Sequence, residues 1–442
     1  MLSKNNLHQY QKNIIKLGTI LPNLGMFLEP GLGKTATTLT IIAEQFTGKT
    51  LIVAPKKVAE TVWEEETKRW EHLQHLKVIK ILGTQAERIN ALKSSGNIYI
   101  VNLENLVWLL EQPTVRFDNL VIDESSRFKD PSTKRFKALK KHLKNFKRRI
   151  ILTGTPTPQS MADLWSQVGI LDLGERLETS LTKFRMKYMH AGKRNPHTGV
   201  IYNWELNEGA DKIITDKVSD ICFSLKAKDY LELPKVTYVL HKVDITEQIR
   251  YKYDQLRKNM VSEVQGQTIT AATAAALTGK LLQFTSGAVY DEEGNWHETH
   301  QAKMEFLESI LEEASSPTLI FYHFKHTLER LQREFPQAVV LDDTNIKAWR
   351  DGKIRVMLAH PQSGGIGINL QCNVGETAQM VWFDLPWSSE NYIQANARIY
   401  RQGQEKPVVI HHVTMTNSID QHVLKVLENK INIQDALMEA LK

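Results

Sequence analysis

Along the first half of the chain, short runs of branched apolar residues alternate with stretches in which apolar positions recur at helical spacing. That alternation predicts a mostly parallel sheet covered by helices. The predicted strands are Thr50–Ala54, Val78–Leu82, Ile98–Val101, Leu120–Ile122 and Arg149–Leu152. Between them, Ala59–Trp70 carries Val62, Glu66 and Trp70 at helical spacing. The pattern stops at Met161 and stays mixed to Leu233, with a polar stretch at Ala191–Gly209 that predicts a loop or small hairpin.

After Leu233-Pro234 the alternation resumes with a long helical region, Glu247–Ser315, broken by the polar turn Tyr290–His297. Further strands are predicted at Leu319–Tyr322, Val339–Leu341, Val356–Leu358, Met380–Phe383 and Val408–Val413, before a packing helix over Ile419–Leu441. The economical reading is two α/β halves, residues 1–235 and 236–442, each a mostly parallel sheet flanked by helices. A chain of 442 residues suits that division, since single cores stop growing beyond roughly 250–300 residues and chains then split into domains.

Composition narrows the class. A net charge of +6 permits a polyanionic partner without requiring one. The two cysteines, Cys222 and Cys372, form no CxxC pair, so a disulfide framework or cysteine zinc site is not expected. The N-terminal residues lack the apolar core of a signal peptide, and no apolar run approaches the roughly 20 residues that span a bilayer. A soluble, intracellular protein without membrane partners is the expectation.

Two segments announce nucleotide chemistry. Gly31-Leu32-Gly33-Lys34-Thr35 follows the apolar run Leu24–Leu28 and precedes a helical stretch. Glycines let the backbone wrap an anion, so that successive N–H groups and the helix N-terminus point at phosphate oxygens. Lys34 would reach the β and γ phosphates and Thr35 would place its hydroxyl on Mg²⁺. Leu28 stands where the general phosphate loop has its first glycine. Asp123-Glu124 follows the run Leu120–Ile122, at a strand end where parallel sheets bind ligands. Asp123 would hold Mg²⁺, and Glu124 would orient and deprotonate the attacking water. Later, Gln394, Arg398 and Arg401 stand four and three residues apart, a spacing that predicts one helical face. Two guanidiniums together suit a triphosphate.

In this order the motifs resemble superfamily-two helicase-like ATPases, and within them the Swi/Snf-type DNA translocases, over nearly the whole chain. Leu7-His8-Gln9-Tyr10-Gln11 is similar to the adenine-reading segment, with Gln11 as the base contact. Val53-Ala54-Pro55 with Trp63, Leu152-Thr153-Gly154-Thr155-Pro156 and Ile320-Phe321-Tyr322 with Phe324 match further family motifs. So do Ser363–Leu370, Asp384-Leu385-Pro386-Trp387 and Gln394–Gln404. Ser125-Ser126 departs from the Ala-His that more often follows the acidic pair.

The resemblance implies two tandem RecA-like lobes with ATP and Mg²⁺ between them, and cleft closure as the power stroke. It places Gln11, Gly31, Gly33, Lys34, Thr35, Gly367 and Gln394 on the nucleotide, and Arg398 and Arg401 as arginine fingers. It places Lys56, Lys57, Gly154, Thr155, Ser363, Gly364, Gly365 and Asn369 on nucleic acid. Such contacts are sequence-independent. The similarity is to compact versions found in phages and prophages, implying cytoplasmic work on double-stranded DNA beside a replication or recombination partner. Strand separation on DNA or RNA is the alternative within the class. A non-catalytic DNA-binding platform latched by ATP is the alternative outside it.

Apart from these motifs, Lys134–Arg149 is strongly basic and free of acids. Its Phe136, Leu139, Leu143 and Phe146 recur at helical spacing, leaving Lys137, Lys140, Lys141 and Lys144 on the other face. His297-Glu298-Thr299-His300 lies in a polar turn region without further ligands, so no metal site is assigned there. Trp63, Trp70 and Trp165 read as core or helix-packing residues.

Overall fold

The computed structural model describes residues 1–112, 116–192, 194, 201, 204–265, 271–362 and 368–442. They divide into two compact units, one comprising Met1–His190, Trp204–Leu231 and Lys430–Lys442, the other built around Glu232–Asn429.

In the first unit, strands β1 (Asn23–Leu28), β2 (Thr50–Ala54), β3 (Val78–Ile81), β4 (Ile98–Asn102), β5 (Asn119–Asp123) and β6 (Arg148–Thr153) fall on the predicted apolar runs. A small sheet pairs β7 (Met189–Ala191) with β8 (Trp204–Leu206), and β9 (Cys222–Leu225) completes the main sheet. The order is β3-β4-β2-β5-β6-β1-β9, parallel throughout. Every residue of β2, β4 and β5 is buried, as expected of strands covered on both faces. β9 was not legible: it is four residues at the sheet edge within the mixed stretch. It approaches β1 closely, and a Cβ on Gly25 would lie 2.6 Å from the Cys222 sulfur. Both cysteines are buried and free.

The final helix, Ile419–Ala440, ends on the first unit's core, to which Leu437, Met438 and Leu441 contribute. There the Ser224 N–H donates to the Leu441 carbonyl at 2.9 Å.

The second unit holds β10 (Val236–Val243), the antiparallel pair β11 (Ala288–Tyr290) and β12 (Trp296–Glu298), then β13 (Thr318–Phe321), β14 (Val339–Val340), β15 (Val356–Ala359), β16 (Ala378–Trp382) and β17 (Val408–Met415). Its main sheet runs β10-β17-β16-β13-β15-β14, again parallel. The predicted break at Tyr290–His297 is the β11–β12 turn, where Asp291 Oδ1 accepts from the N–H groups of Glu293 and Asn295. β10 is an edge strand whose Tyr238 and Leu240 are exposed, which hid it from a search for apolar runs. No helix among the described residues is long and apolar enough to cross a membrane.

Candidate active site

The C-terminal ends of β1, β2, β5 and β6 carry the first unit's candidate residues, because parallel strands all deliver their following loops to one edge. After β1, the chain turns through Gly31 and Gly33, both at positive φ (93° and 67°), into helix Lys34–Gln45. Only glycine adopts such angles readily. A Cβ on Gly33 would also crowd the Gln11 side-chain nitrogen. Gln11 is buried, and its Oε1 accepts from the His8 N–H at 2.9 Å, so the predicted base-reading residue packs against the phosphate loop. Lys34 Nζ donates to the Leu28 carbonyl at 2.7 Å, and Thr35 is half-buried in the helix's first turn.

Asp123 ends β5 and is buried. Its Oδ2 accepts from the Trp63 indole N–H at 3.1 Å. Burial pushes the Asp123 carboxyl above its ordinary value, against the lowering pull of the Lys34 charge and the Trp63 bond. Glu124 takes a left-handed backbone (φ 56°, ψ 58°) that turns the chain sharply after the strand. A non-glycine residue held there costs roughly 1–2 kcal/mol, a strain that clusters at functional sites.

Three links hold these loops, none of them legible in sequence. Ser125 Oγ donates to Gln167 Oε1 at 2.8 Å, and Gln167 Nε2 donates to the Pro156 carbonyl at 2.6 Å. Fully buried Gln167 therefore ties the loop after β5 to the loop after β6. The departure at Ser125 was the available signal. Gly154 lies against the phosphate loop, where a Cβ would come 3.2 Å from the Leu28 carbonyl and 3.1 Å from Pro30. Glu29 Oε2 accepts from the Ala227 N–H at 2.7 Å, anchoring the loop's first residue beside β9. Burial raises the Glu29 carboxyl, opposed by that bond.

The residues fit Mg²⁺, which takes hard oxygen donors and keeps waters and substrate phosphates in its shell. Asp123 supplies a carboxylate whose charge burial disfavours until a cation offsets it, and Thr35 supplies a hydroxyl. Among the described residues no group of three or more metal-binding side chains occurs, and His297–His300 holds none.

In the second unit the predicted helical face is corrected. Helix Ser389–Asn396 carries Gln394 but ends before Arg398. The Trp382 indole N–H donates to Asn396 Oδ1 at 3.0 Å, and Arg398 and Ile399 close tighter three-residue turns onto Ala395 and Asn396. Arg401 follows in irregular backbone, its carbonyl accepting from Gln371 Nε2 at 2.9 Å. Arg398 Nη1 donates to the Ile368 carbonyl at 3.3 Å, so the segments around 369 and 398 are stitched together. Burial lowers the Arg401 guanidinium from its ordinary value.

Of the predicted nucleic-acid residues, Lys56 and Lys57 are exposed just beyond β2. Gly154 and Thr155 are both buried, with Gly154 packed on the phosphate loop and its carbonyl accepting from Gln434 Nε2 at 3.3 Å. Asn369 uses its side-chain oxygen on the Gln371 N–H at 3.0 Å. Ser363, Gly364, Gly365 and Gly367 lie outside the described residues.

A SNF2-related domain profile matches residues 13–289. Protein p41 of Acyrthosiphon pisum secondary endosymbiont phage 1 is 36% identical, with 98% of both chains covered. An uncharacterised ATP-dependent helicase of Mycoplasma genitalium, MG018, is 26% identical across 96% of this chain and 42% of its own length. The SWI/SNF-related matrix-associated actin-dependent regulator of chromatin subfamily A-like protein 1 of Xenopus tropicalis is 26% identical across 93% and 43%. This chain thus spans nearly all of the phage protein and less than half of the other two. The Sulfolobus solfataricus SWI2/SNF2 ATPase core, solved in complex with dsDNA, aligns with 98% of this chain and 93% of that one at 20% identity and a TM-score of 0.44.

Proposed function

This chain belongs to the SNF2-related family of helicase-like ATPases, and from that premise we propose that it hydrolyses ATP to translocate along double-stranded DNA. The observation that carries the reading is the pairing of a glycine-lined phosphate loop with a buried carboxylate, Asp123, under the charge of Lys34.

ATP phosphates entering the loop would meet the N–H groups around Gly31 and Gly33, and Lys34 would exchange the Leu28 carbonyl for phosphate oxygen. Bound Mg²⁺, held by Asp123 and Thr35, would supply neutralising charge to those phosphates. Glu124 would orient the attacking water and take its proton. Gln11, packed on Gly33, would position the adenine, and Gln394 and Gly367 would add nucleotide contacts. Arg398 and Arg401 are assigned to transition-state charge, a role that contributes roughly 10³–10⁵ in rate. Lys56 and Lys57 would bind backbone phosphates and carry no sequence information. The unit built on Met1–His190 and the unit built on Glu232–Asn429 would act as the two lobes of the motor, and the cellular role would be DNA replication, recombination or repair beside a protein partner.

The test is steady-state ATP hydrolysis at low salt with duplex DNA, single-stranded DNA or RNA. Strong stimulation by duplex, followed by triplex displacement, is the expected result. Stimulation chiefly by single strands or RNA would instead assign strand separation. No hydrolysis under any condition would overturn the motor in favour of an ATP latch. Lys34→Ala and Glu124→Gln are expected to abolish turnover in a folded protein, and Arg401→Ala to lower turnover more than nucleotide affinity.

A further inference from the structure

The helix after β5 carries a charge pattern that its own stability does not explain. Helix Lys134–His142 continues through the turn Leu143–Asn145, and Phe136, Leu139, Leu143 and Phe146 are buried against the first unit's core. On the opposite side Lys134, Lys137, Lys141 and Lys144 are exposed, with exposed Lys140 flanking them near Trp165. At about 1.5 Å per residue the four span roughly 15 Å. None of the four makes an ion pair among the described residues, and no carboxylate occurs in the sequence between Asp130 and Asp163. Asp130, whose carboxyl is held down mainly by Ser132 and then by Lys137's charge, stands at one end, and the Lys147–Asp118 pair at the other.

Such a helix works against itself. Like charges three and four positions apart each cost about 0.2–0.5 kcal/mol. Lys134 and Arg135 in the first turn also oppose the helix dipole. Neighbouring acids would relieve this, and only Asp130, at one end, does so for Lys137. A polyanion would. The residues are lysines, compact charges without the forked geometry that selects one carboxylate partner, and no exposed apolar side chain interrupts the stripe to serve as a protein hot spot. Because the helix leads from the end of β5 to the start of β6, the stripe runs from the edge bearing the candidate loops toward the opposite edge.

We propose that Lys134, Lys137, Lys141 and Lys144 form a second phosphate-binding track for duplex DNA, separate from the loop contacts at Lys56 and Lys57. The proposal deepens the DNA-motor reading and rests on it. The track binds backbone without reading bases and anchors DNA while the loops engage and release.

The test measures duplex affinity across a salt series for the full chain and for K137Q/K141Q/K144Q. Each lost phosphate contact reduces the slope of log affinity on log salt by about 0.9, so three should flatten it by about 2.7 and weaken low-salt binding roughly tenfold or more. ATP turnover without DNA should be unchanged, and the variant should melt no lower than the parent because self-repulsion is gone. K137R/K141R/K144R should keep the parental slope. An unchanged slope and affinity in the glutamine variant would overturn the proposal. So would unchanged DNA binding with lost binding to polyglutamate, which would assign the stripe to an acidic protein. If the unsubstituted chain is neither bound nor stimulated by duplex, the motor reading itself fails, and that result is visible before any variant is made.

Discussion

The Trp63 indole N–H donates to Asp123 Oδ2 across 60 residues of sequence, and both side chains are buried. Trp63 begins the helix that follows a π-type turn after β2, while Asp123 ends β5, the neighbouring strand. A residue read as packing alone therefore also orients the carboxylate expected to hold the metal. A neutral N–H suits that task, because a cation in its place would compete with Mg²⁺.

Trp63→Phe removes the donor while keeping an aromatic ring. Hydrogen bonds to charged groups contribute about 1.5–3 kcal/mol. We expect a folded protein whose ATP turnover falls about tenfold or more, with a higher Mg²⁺ requirement. A Mg²⁺ titration of turnover that superimposes on the parent's would remove the orienting role.

Gln167 is expected to act as one unit with Ser125. Ser125→Ala takes the hydroxyl from Gln167 Oε1, and Gln167→Leu takes the donor from the Pro156 carbonyl. Each should cost about 1–3 kcal/mol of stability, with a non-additive term of roughly 0.5–3 kcal/mol in the double variant. Denaturant unfolding of all four proteins measures this, and strictly additive values would mean that the two loops are not joined through Gln167.

Gly25 should reject even a methyl group. A Cβ 2.6 Å from the Cys222 sulfur forces β1 and β9 apart, and overpacking of this kind costs about 1–3 kcal/mol. Cys222→Ala removes the sulfur, after which the nearest atoms, the residue 222 Cβ and Leu171 Cδ1, stand at 3.4 Å. Gly25→Ala with Cys222→Ala should therefore melt above Gly25→Ala alone. Failure of the second change to restore stability would place the cost elsewhere.

Acid should destabilise the second unit through its buried histidines. His300, packed against Phe284 and near Lys303 and Arg330, is pushed down to about 4, chiefly by burial. The unfolded chain binds that proton first as pH falls, so the stabilisation is complete above about 6.5 and is lost on the way down to about 4. By pH 5 this one group accounts for roughly 2 kcal/mol. Thermal melts between pH 7 and 5 should show the loss, and His300→Gln should shrink it. An identical pH dependence in that variant would exclude His300 as the source.

What the sequence determined by itself was whatever local pattern encodes. Continuous branched apolar runs specify strands buried on both faces, and closely spaced glycines with a following Lys-Thr specify a tight turn into a helix, the pattern expected of a phosphate loop. The motifs in order were enough to name the family. Tertiary structure alone decided which residues support those motifs. Gln167, Glu29 and Gln371 bond to groups far away in sequence, and a lone Gln or Glu has no period or spacing to betray its partner. Edge strand β10 escaped because exposure on one side erases the apolar run, and β9 because its four residues, with a polar Ser224 among them, are too short a run. The helix through Arg398 and Arg401 was overestimated because spacing reports the angle between residues, whereas the helix ends at Asn396, whose side chain accepts from the Trp382 indole. Gly154 and Thr155 match a family motif, yet burial against the phosphate loop is a property of the packed unit, which no linear pattern contains.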